Sequence, residues 1–215
     1  MYNLPDFKEP DSGEIKAFMQ AHPLALLFGV DDQRRPVATQ VPVLLEERDG
    51  KTFLIGHMSK ATDHIKAFQA FPENILAVFT SPNCYVSATW YTMPHMGSTW
   101  NYMSVHAHGP IRFGSEEELV GVMKKLTLHF EQNNPQSSTV FDNLPAEYLD
   151  KMMKGIRPFE IEVKRLEHVF KLSQNRDEKS FQQIIDQLSN GDTGARFIAE
   201  EMKKRKSSLY PPNVV

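Results

Sequence analysis

The sequence predicts a mainly antiparallel β fold with peripheral helices and a C-terminal helical tail. Three observations predict it. Short apolar runs separated by turn residues follow one another from Leu24 to Phe113. Helical spacing is inserted among them without the regular strand–helix alternation of a parallel sheet. From Asp177 onward the chain becomes polar and helical. This order excludes a doubly wound parallel sheet and favours a barrel.

Each element has its own reason. Ile15, Phe18 and Met19 share a face over Ser12 to Ala21, a helix that His22-Pro23 ends because proline disfavours helix in the residue before it. Leu24 to Val30 is a continuous apolar strand. The turn Asp31-Asp32-Gln33 leads to a strand over Val37 to Leu45, then Arg48-Asp49-Gly50 turns into a strand over Thr52 to Ile55. Ile65, Phe68 and Phe71 have helical spacing, which places a helix over Ser59 to Phe71. Ile75 to Thr80 and Cys84 to Thr89 read as strands around the turn Ser81-Pro82-Asn83, and Thr92 to Ser98 as a loop. A long strand is expected from Thr99 to Phe113, bending at Gly109-Pro110. Ser115 followed by Glu118 is a capping box that opens a helix to about Gln132. After the polar loop Asn133 to Asn143, a helix is expected over Pro145 to Lys154. Strands follow at Phe159 to Val163 and Val169 to Leu172, and the helical tail breaks at Gly191-Asp192. The expected domains are residues 1–175, carrying the β fold with its inserted helices, and 176–215, a helical extension packing on the barrel or on a partner subunit.

The whole chain narrows the function classes. Its 215 residues are 40% hydrophobic and 10% aromatic, enough for one large core. No apolar run approaches the roughly 20 residues of a membrane span. The opening MYNLPDFKEPDSGE has neither the basic start nor the apolar stretch of a signal peptide. Cys84 is the one cysteine, so no internal disulfide forms, and a cytoplasmic location is expected. Net charge is −3, so any nucleic-acid contact needs a local basic patch. The dense run Lys203-Lys204-Arg205-Lys206 is the candidate; its plain alternative is cations complementing a helix C-terminus.

Three stretches carry candidate chemistry. At Gly56-His57-Met58-Ser59-Lys60-Ala61-Thr62 a strand gives way to a helix. Exposed N–H groups, two hydroxyls and the Lys60 charge there suit a phosphate, the alternative being that Ser59 simply caps the helix. In Ala38-Thr39-Gln40-Val41-Pro42 the proline removes a ladder donor, which marks an edge or a bulge. Backbone groups left free there suit the polar rim of a flat heterocycle, though an ordinary irregular edge has the same pattern. In TWNYMSVHAHG, Thr99 to Gly109, alternation puts Trp100, Tyr102, Ser104, His106 and His108 on one face, and Asn101, Met103, Val105 and Ala107 on the other. The second face suits a core; the first suits a subunit interface or a ligand wall. His106 and His108, even joined by His57 or His95, lack the recognisable ligand set of a metal centre, so none is expected. Cys84 reads as a small buried residue.

Taken in order, Tyr2…Pro5…Phe7, Ala38-Thr39-Gln40-Val41-Pro42, Gly56-His57-Met58-Ser59-Lys60-Ala61, Trp90-Tyr91, Thr99-Trp100-Asn101-Tyr102, Val105-His106 and Lys171-Leu172-Ser173-Gln174-Asn175 resemble the PaiB family. These are FMN-binding proteins described as negative transcriptional regulators associated with sporulation and protease synthesis. The resemblance implies an antiparallel, Greek-key-like split β-barrel, homodimeric, with FMN at the subunit interface and possible DNA contact. It implies that Thr39, Gln40 and Val41 line the isoalloxazine edge and that Met58, Ser59, Lys60, Ala61 and Thr62 surround the phosphate. It also implies that Thr99, Trp100, Asn101 and Tyr102 come across the interface with Gln174 close by. The chain departs from the family pattern at Ala88-Thr89 before Trp90, and at Gly97-Ser98 before Thr99. A flavin-dependent oxidoreductase and a haem-binding or haem-degrading split barrel are the alternative readings.

Overall fold

The computed structural model describes residues 1–211; residues 212–215 of the expected tail lie outside them. Among the described residues are nine strands in a mainly antiparallel sheet that does not close into a ring, and six α-helices. The chain divides into two compact units. One comprises Met1–Ile15, Thr80–Val105 and Glu167 onward; the other comprises Lys16–Phe79 and His106–Leu166.

The second unit holds most of the meander. β1 (Leu24–Val30) pairs on one side with β2 (Pro36–Arg48) and on the other with β4 (Ile75–Thr80). β2 also pairs with β3 (Lys51–Ser59), β3 with β8 (Ile156–Glu162), and β8 with β7 (Ile111–Phe113). The β2–β3 hairpin closes on two residues, with Arg48 opposite Lys51. Asp49 and Gly50 both have positive φ, the requirement of the tight hairpin turn whose twist matches the strands. Pro42 marks a handover. β1 pairs with β2 from Pro36 through Pro42, and β3 takes up the ladder only from Val43. A residue without an N–H is tolerated where a strand changes neighbours.

The helices of this unit cover the sheet. Helix α1 (Ser12–Ala21) buries Ile15, Phe18 and Met19, as its spacing predicts, although the division into units falls after Ile15. Helix α3 (Glu116–Phe130) opens on the expected capping box: Ser115 Oγ accepts from the Glu118 N–H at 3.3 Å, and the Ser115 N–H donates to Glu118 Oε2 at 2.7 Å. Arg112 completes the corner by bonding Glu118 and Glu160, and it holds the Glu118 carboxyl down to about 2. Leu119, Met123 and Leu126 of α3 pack with Phe141 into a small core, against which Leu149, Met152 and Met153 of α4 (Ala146–Lys154) lie half-buried.

The first unit is built on β6 (Thr99–Gly109), which pairs with β5 (Cys84–Val86) and with β9 (Arg165–Lys171); the division between units falls within β6 and within β9. The alternation expected for β6 holds, with Asn101, Met103, Val105 and Ala107 all buried. Helices α5 (Glu178–Ser189) and α6 (Thr193–Leu209) close this unit and meet at the expected break. Asp177 caps α5 by accepting from the Ser180 N–H, and Asp192 caps α6 by accepting from the Ala195 N–H. Phe181 and Ile184 of α5 and Ile198 and Met202 of α6 are fully buried.

Several boundaries differ from expectation, each for a physical reason. The helix expected over Ser59 to Phe71 is α2, His64–Ala70, and is shorter, because pairing with β8 carries β3 through Ser59. The strand expected over Cys84 to Thr89 ends at Val86; Ser87 then caps a 3-10 turn over Ala88–Trp90 through its side chain. The long strand expected from Thr99 to Phe113 breaks at Pro110, which cannot donate to the ladder. At that break Gly109 lies so close to β8 that a Cβ there would stand 1.9 Å from the carbonyl oxygen of Glu162.

Candidate functional site

The Ser59–Thr62 turn is held from both ends. The Lys60 N–H donates to the Gly155 carbonyl at 2.8 Å. Ser59 Oγ accepts from the Ala61 N–H at 3.2 Å, and Thr62 Oγ1 donates to the Ser59 carbonyl at 3.0 Å. The turn is therefore a hydroxyl-stabilised loop ahead of a helix, and Ser59 is not the helix cap anticipated from sequence. Asp63 stands at the N-cap position of α2 instead, without a side-chain capping bond. Affinity for an anion here has to come from Lys60 and the loop rather than from a helix end. Met58 is buried, while Ser59, Lys60 and Ala61 are exposed.

Lys60 and Thr62 line a cavity of about 470 Å³, together with Lys66, Arg157 and Ser115. Among the described residues Lys60 has one ion-pair partner, Glu116, at 3.8 Å, and that side chain is largely in solvent. On β3, two residues before Ser59 and on the same strand face, His57 has a buried Nδ1 with no hydrogen-bond partner. Burial pushes the His57 imidazole below its ordinary value, so it is neutral at pH 7.

Thr39, Gln40 and Val41 lie on the part of β2 that pairs with β1 before the handover at Pro42. Val41 is buried, Thr39 half-buried and Gln40 exposed. None of the three lines the Lys60 cavity.

In the first unit, the start of β6 presents an aromatic surface. Trp100 is 54% exposed and lies directly opposite Tyr85 of β5, itself 51% exposed; their rings meet edge-on at 5.9 Å. Lys171, at the end of β9, fastens this strand by donating to Thr99 Oγ1 and, at 2.9 Å, to the Trp100 carbonyl. Burial, and behind it the charge of Arg176, lowers the Lys171 ammonium. Asn101 faces the opposite way. It is fully buried, and its amide exchanges hydrogen bonds with the Ser173 hydroxyl at 2.9 and 3.1 Å. Ser173 has a φ of 63°, a left-handed turn that brings its hydroxyl inward. The Gln174 amide is committed to the same turn: it accepts from the Leu172 N–H and donates to the Phe170 carbonyl. Tyr102 is half-buried.

The structure thus groups Lys60 with Thr62, Thr99 and Trp100 with Lys171, and Asn101 with Ser173. Lys171 and Ser173 were visible in the quoted KLSQN motif but not as site residues. Arg157 and Lys66 have no local signal, since one is the second residue of β8 and the other lies on a short polar helix face. The basic run on α6 is already partnered. Lys203 pairs with Glu200, Lys204 and Arg205 with Glu201, and Lys206 bonds Gln182 at 2.7 Å.

Residues 1–165 match the family described as "Putative FMN-binding domain". Protease synthase and sporulation protein PAI 2 of Bacillus subtilis is 30% identical over 208 residues, spanning 95% of this chain and 98% of that protein. The chain belongs to the PaiB family of FMN-binding proteins. Among solved structures, the flavocytochrome Anf3 from Azotobacter vinelandii is similar with a TM-score of 0.55 at 19% identity, covering 76% of this chain and 68% of that one. The FAD and heme binding protein from Mycobacterium smegmatis is similar at 0.54 and 18%, covering 76% and 72%. At such identities the likeness is one of fold, the split barrel. FMN is the cofactor of the family, and the donor set around Ser59–Thr62 fits a phosphate: a cation whose ion pair with the solvent-exposed Glu116 is long at 3.8 Å, beside the Ser59 hydroxyl on a loop held by its own hydrogen bonds. No helix among the described residues is long and apolar enough to cross a membrane.

Proposed function

We propose that this PaiB-family chain is a homodimeric FMN-binding regulator of transcription, with the flavin held where two subunits meet. The observation that carries the proposal is Lys60, lining a cavity with Thr62 and offset, among the described residues, only by Glu116 at 3.8 Å. In this reading Lys60 and the Ser59 hydroxyl, which only accepts within the turn, donate to the phosphate dianion, while Thr62 spends its proton on the Ser59 carbonyl and so keeps the loop from having to reorganise when the anion binds. Met58, buried beneath, and Ala61 complete the loop. Thr39, Gln40 and Val41 present backbone to the isoalloxazine edge along the stretch of β2 that β3 leaves uncovered. FMN when bound supplies reversible electron transfer; the chain's own residues bind and orient it.

The dimer reading is supported by Trp100 and Tyr85, two large, adjacent aromatics left half in solvent. Aromatic pairs of this kind recur at the centre of interfaces. Lys171 holds their strand in one conformation, so little is lost in ordering it. Thr99 and Tyr102 reach the partner's flavin in this arrangement, while Asn101 and Gln174 shape the strand and turn from behind. The regulatory role rests on the resemblance to the PaiB family.

The test is retention of FMN by the purified protein through a filtration step, with flavin recovered on denaturation; protein that passes through colourless after loading overturns the reading. For the dimer, Trp100→Glu is expected to shift the sedimenting species from dimer to monomer and raise the dissociation constant by about tenfold or more, since it places a charge in an apolar contact. A dimer unmoved by W100E puts the interface elsewhere.

A further inference from the structure

The cavity beside Lys60 is larger and more cationic than a single phosphate needs. Its volume is about 470 Å³, within the range of whole small-molecule sites. It is lined by three cations, Lys60, Lys66 and Arg157, against one carboxylate, Glu116. Among the described residues neither Lys66 nor Arg157 has an acidic partner; the Arg157 guanidinium lies over the Phe113 ring at 5.4 Å. Lys66 and Gln69, three residues apart on α2, share a helix face and both line the cavity. The remaining wall is apolar: Ile65, Leu119, Ile156 and Pro158. The start of α3 contributes no anion site, because its capping box and Arg112 already engage Ser115 and Glu118.

A phosphate needs cations and donors, and an apolar wall adds nothing to its binding. A flat purine needs that wall, with an amide at its edge. Three cations together with an apolar wall and the Gln69 amide match a second phosphate followed by a nucleoside. We infer that the phosphate end of the flavin site continues into this cavity and accepts the adenylate half of a flavin dinucleotide, so that the chain binds FAD as well as FMN. The inference rests on the reading that Lys60 holds the flavin phosphate. Lys66 and Arg157 then meet the second phosphate, and Gln69 bonds the base over Ile65 and Leu119.

The test is equilibrium binding of FMN and FAD to flavin-free full-length protein, followed by flavin fluorescence, for the wild type, Lys66→Glu and the Lys66→Glu/Arg157→Glu pair. Lys66 is exposed, so K66E alone keeps the experiment interpretable should the double variant fold poorly, as circular dichroism will show. The wild type is expected to bind FAD at least as tightly as FMN. K66E is expected to weaken FAD about tenfold, with the double variant weaker still, while FMN changes by no more than about threefold, because reversing a charge acts mainly on the phosphate next to it. FMN bound and FAD excluded overturns the inference alone. So does equal loss of both flavins in K66E, or loss of neither. Failure to bind either flavin overturns the underlying flavin reading as well.

Discussion

Gly109→Ala is expected to be the most damaging single-methyl change in the chain. The added Cβ meets the Glu162 carbonyl oxygen at 1.9 Å and its carbon at 2.9 Å, less than any real contact allows. The obstacle is backbone, so it cannot rotate aside as a side chain would. The two segments are also tied on both sides of the contact: the Glu162 N–H donates to the Pro110 carbonyl at 3.2 Å, and the Lys164 N–H donates to the His108 carbonyl at 2.8 Å. Relief requires parting the strands and losing those bonds. Overpacking of a tight site costs about 1–3 kcal/mol when side chains can adjust, and more when they cannot. We therefore expect a loss of about 3 kcal/mol or more, which in a chain of this size lowers the melting temperature by roughly 10 °C. Gly97→Ala is the control, since a Cβ there meets nothing within 4 Å. A G109A melting curve that overlays the G97A curve would show that the strands part freely at this point.

Lys60→Glu is expected to have the largest effect on flavin binding. The substitution removes one charge-assisted hydrogen bond, worth about 1.5–3 kcal/mol, and sets a carboxylate against the phosphate. The Ser59–Thr62 loop itself survives, because its bonds use the Lys60 backbone N–H and the Ser59 and Thr62 oxygens, not the lysine side chain. The expected result is an FMN dissociation constant raised on the order of 100-fold, corresponding to roughly 2.7 kcal/mol. Lys60→Arg should recover most of it, and riboflavin, which has no phosphate, should bind wild type and K60E alike. An FMN affinity unchanged in K60E would remove Lys60 from the site.

What the sequence made legible is what local rules govern. The Ser115–Glu118 capping box, the Asp49-Gly50 turn, the buried stripe of α1 and the alternating faces of β6 all depend on residues a few positions apart, and all stand as read. The errors lie where a distant partner outvotes the local pattern. Ser59 reads as a helix cap, but β8, nearly a hundred residues later, keeps it in a strand. In Val37 to Leu45, Pro42 reads as an edge or a bulge, and the structure makes it the point where β2 passes from pairing with β1 to pairing with β3. The candidate site draws on local and distant information alike. Lys60, Thr62, Thr99 and Trp100 are visible because they sit in dense motifs. Asn101 shares the motif and is spent on Ser173, which periodicity alone does not reveal. Lys66 and Arg157 reach one cavity from separate elements, and nothing near either in the chain announces it.

The pairing of the α6 cations bears on how this end of the protein meets a polyanion. Ordinarily a lysine cluster gains affinity for nucleic acid by displacing small ions condensed on the phosphates, which makes binding fall steeply as salt rises. Here Glu200 and Glu201 already act as tethered counter-ions on Lys203, Lys204 and Arg205, and Glu9 stands 3.5 Å from Arg205. A phosphate chain arriving at this helix must evict carboxylates that cannot diffuse away and that then repel it. Four adjacent positive residues in the sequence therefore amount to far less than four charges seen from outside, and the salt dependence of any complex made through this face should be correspondingly shallow.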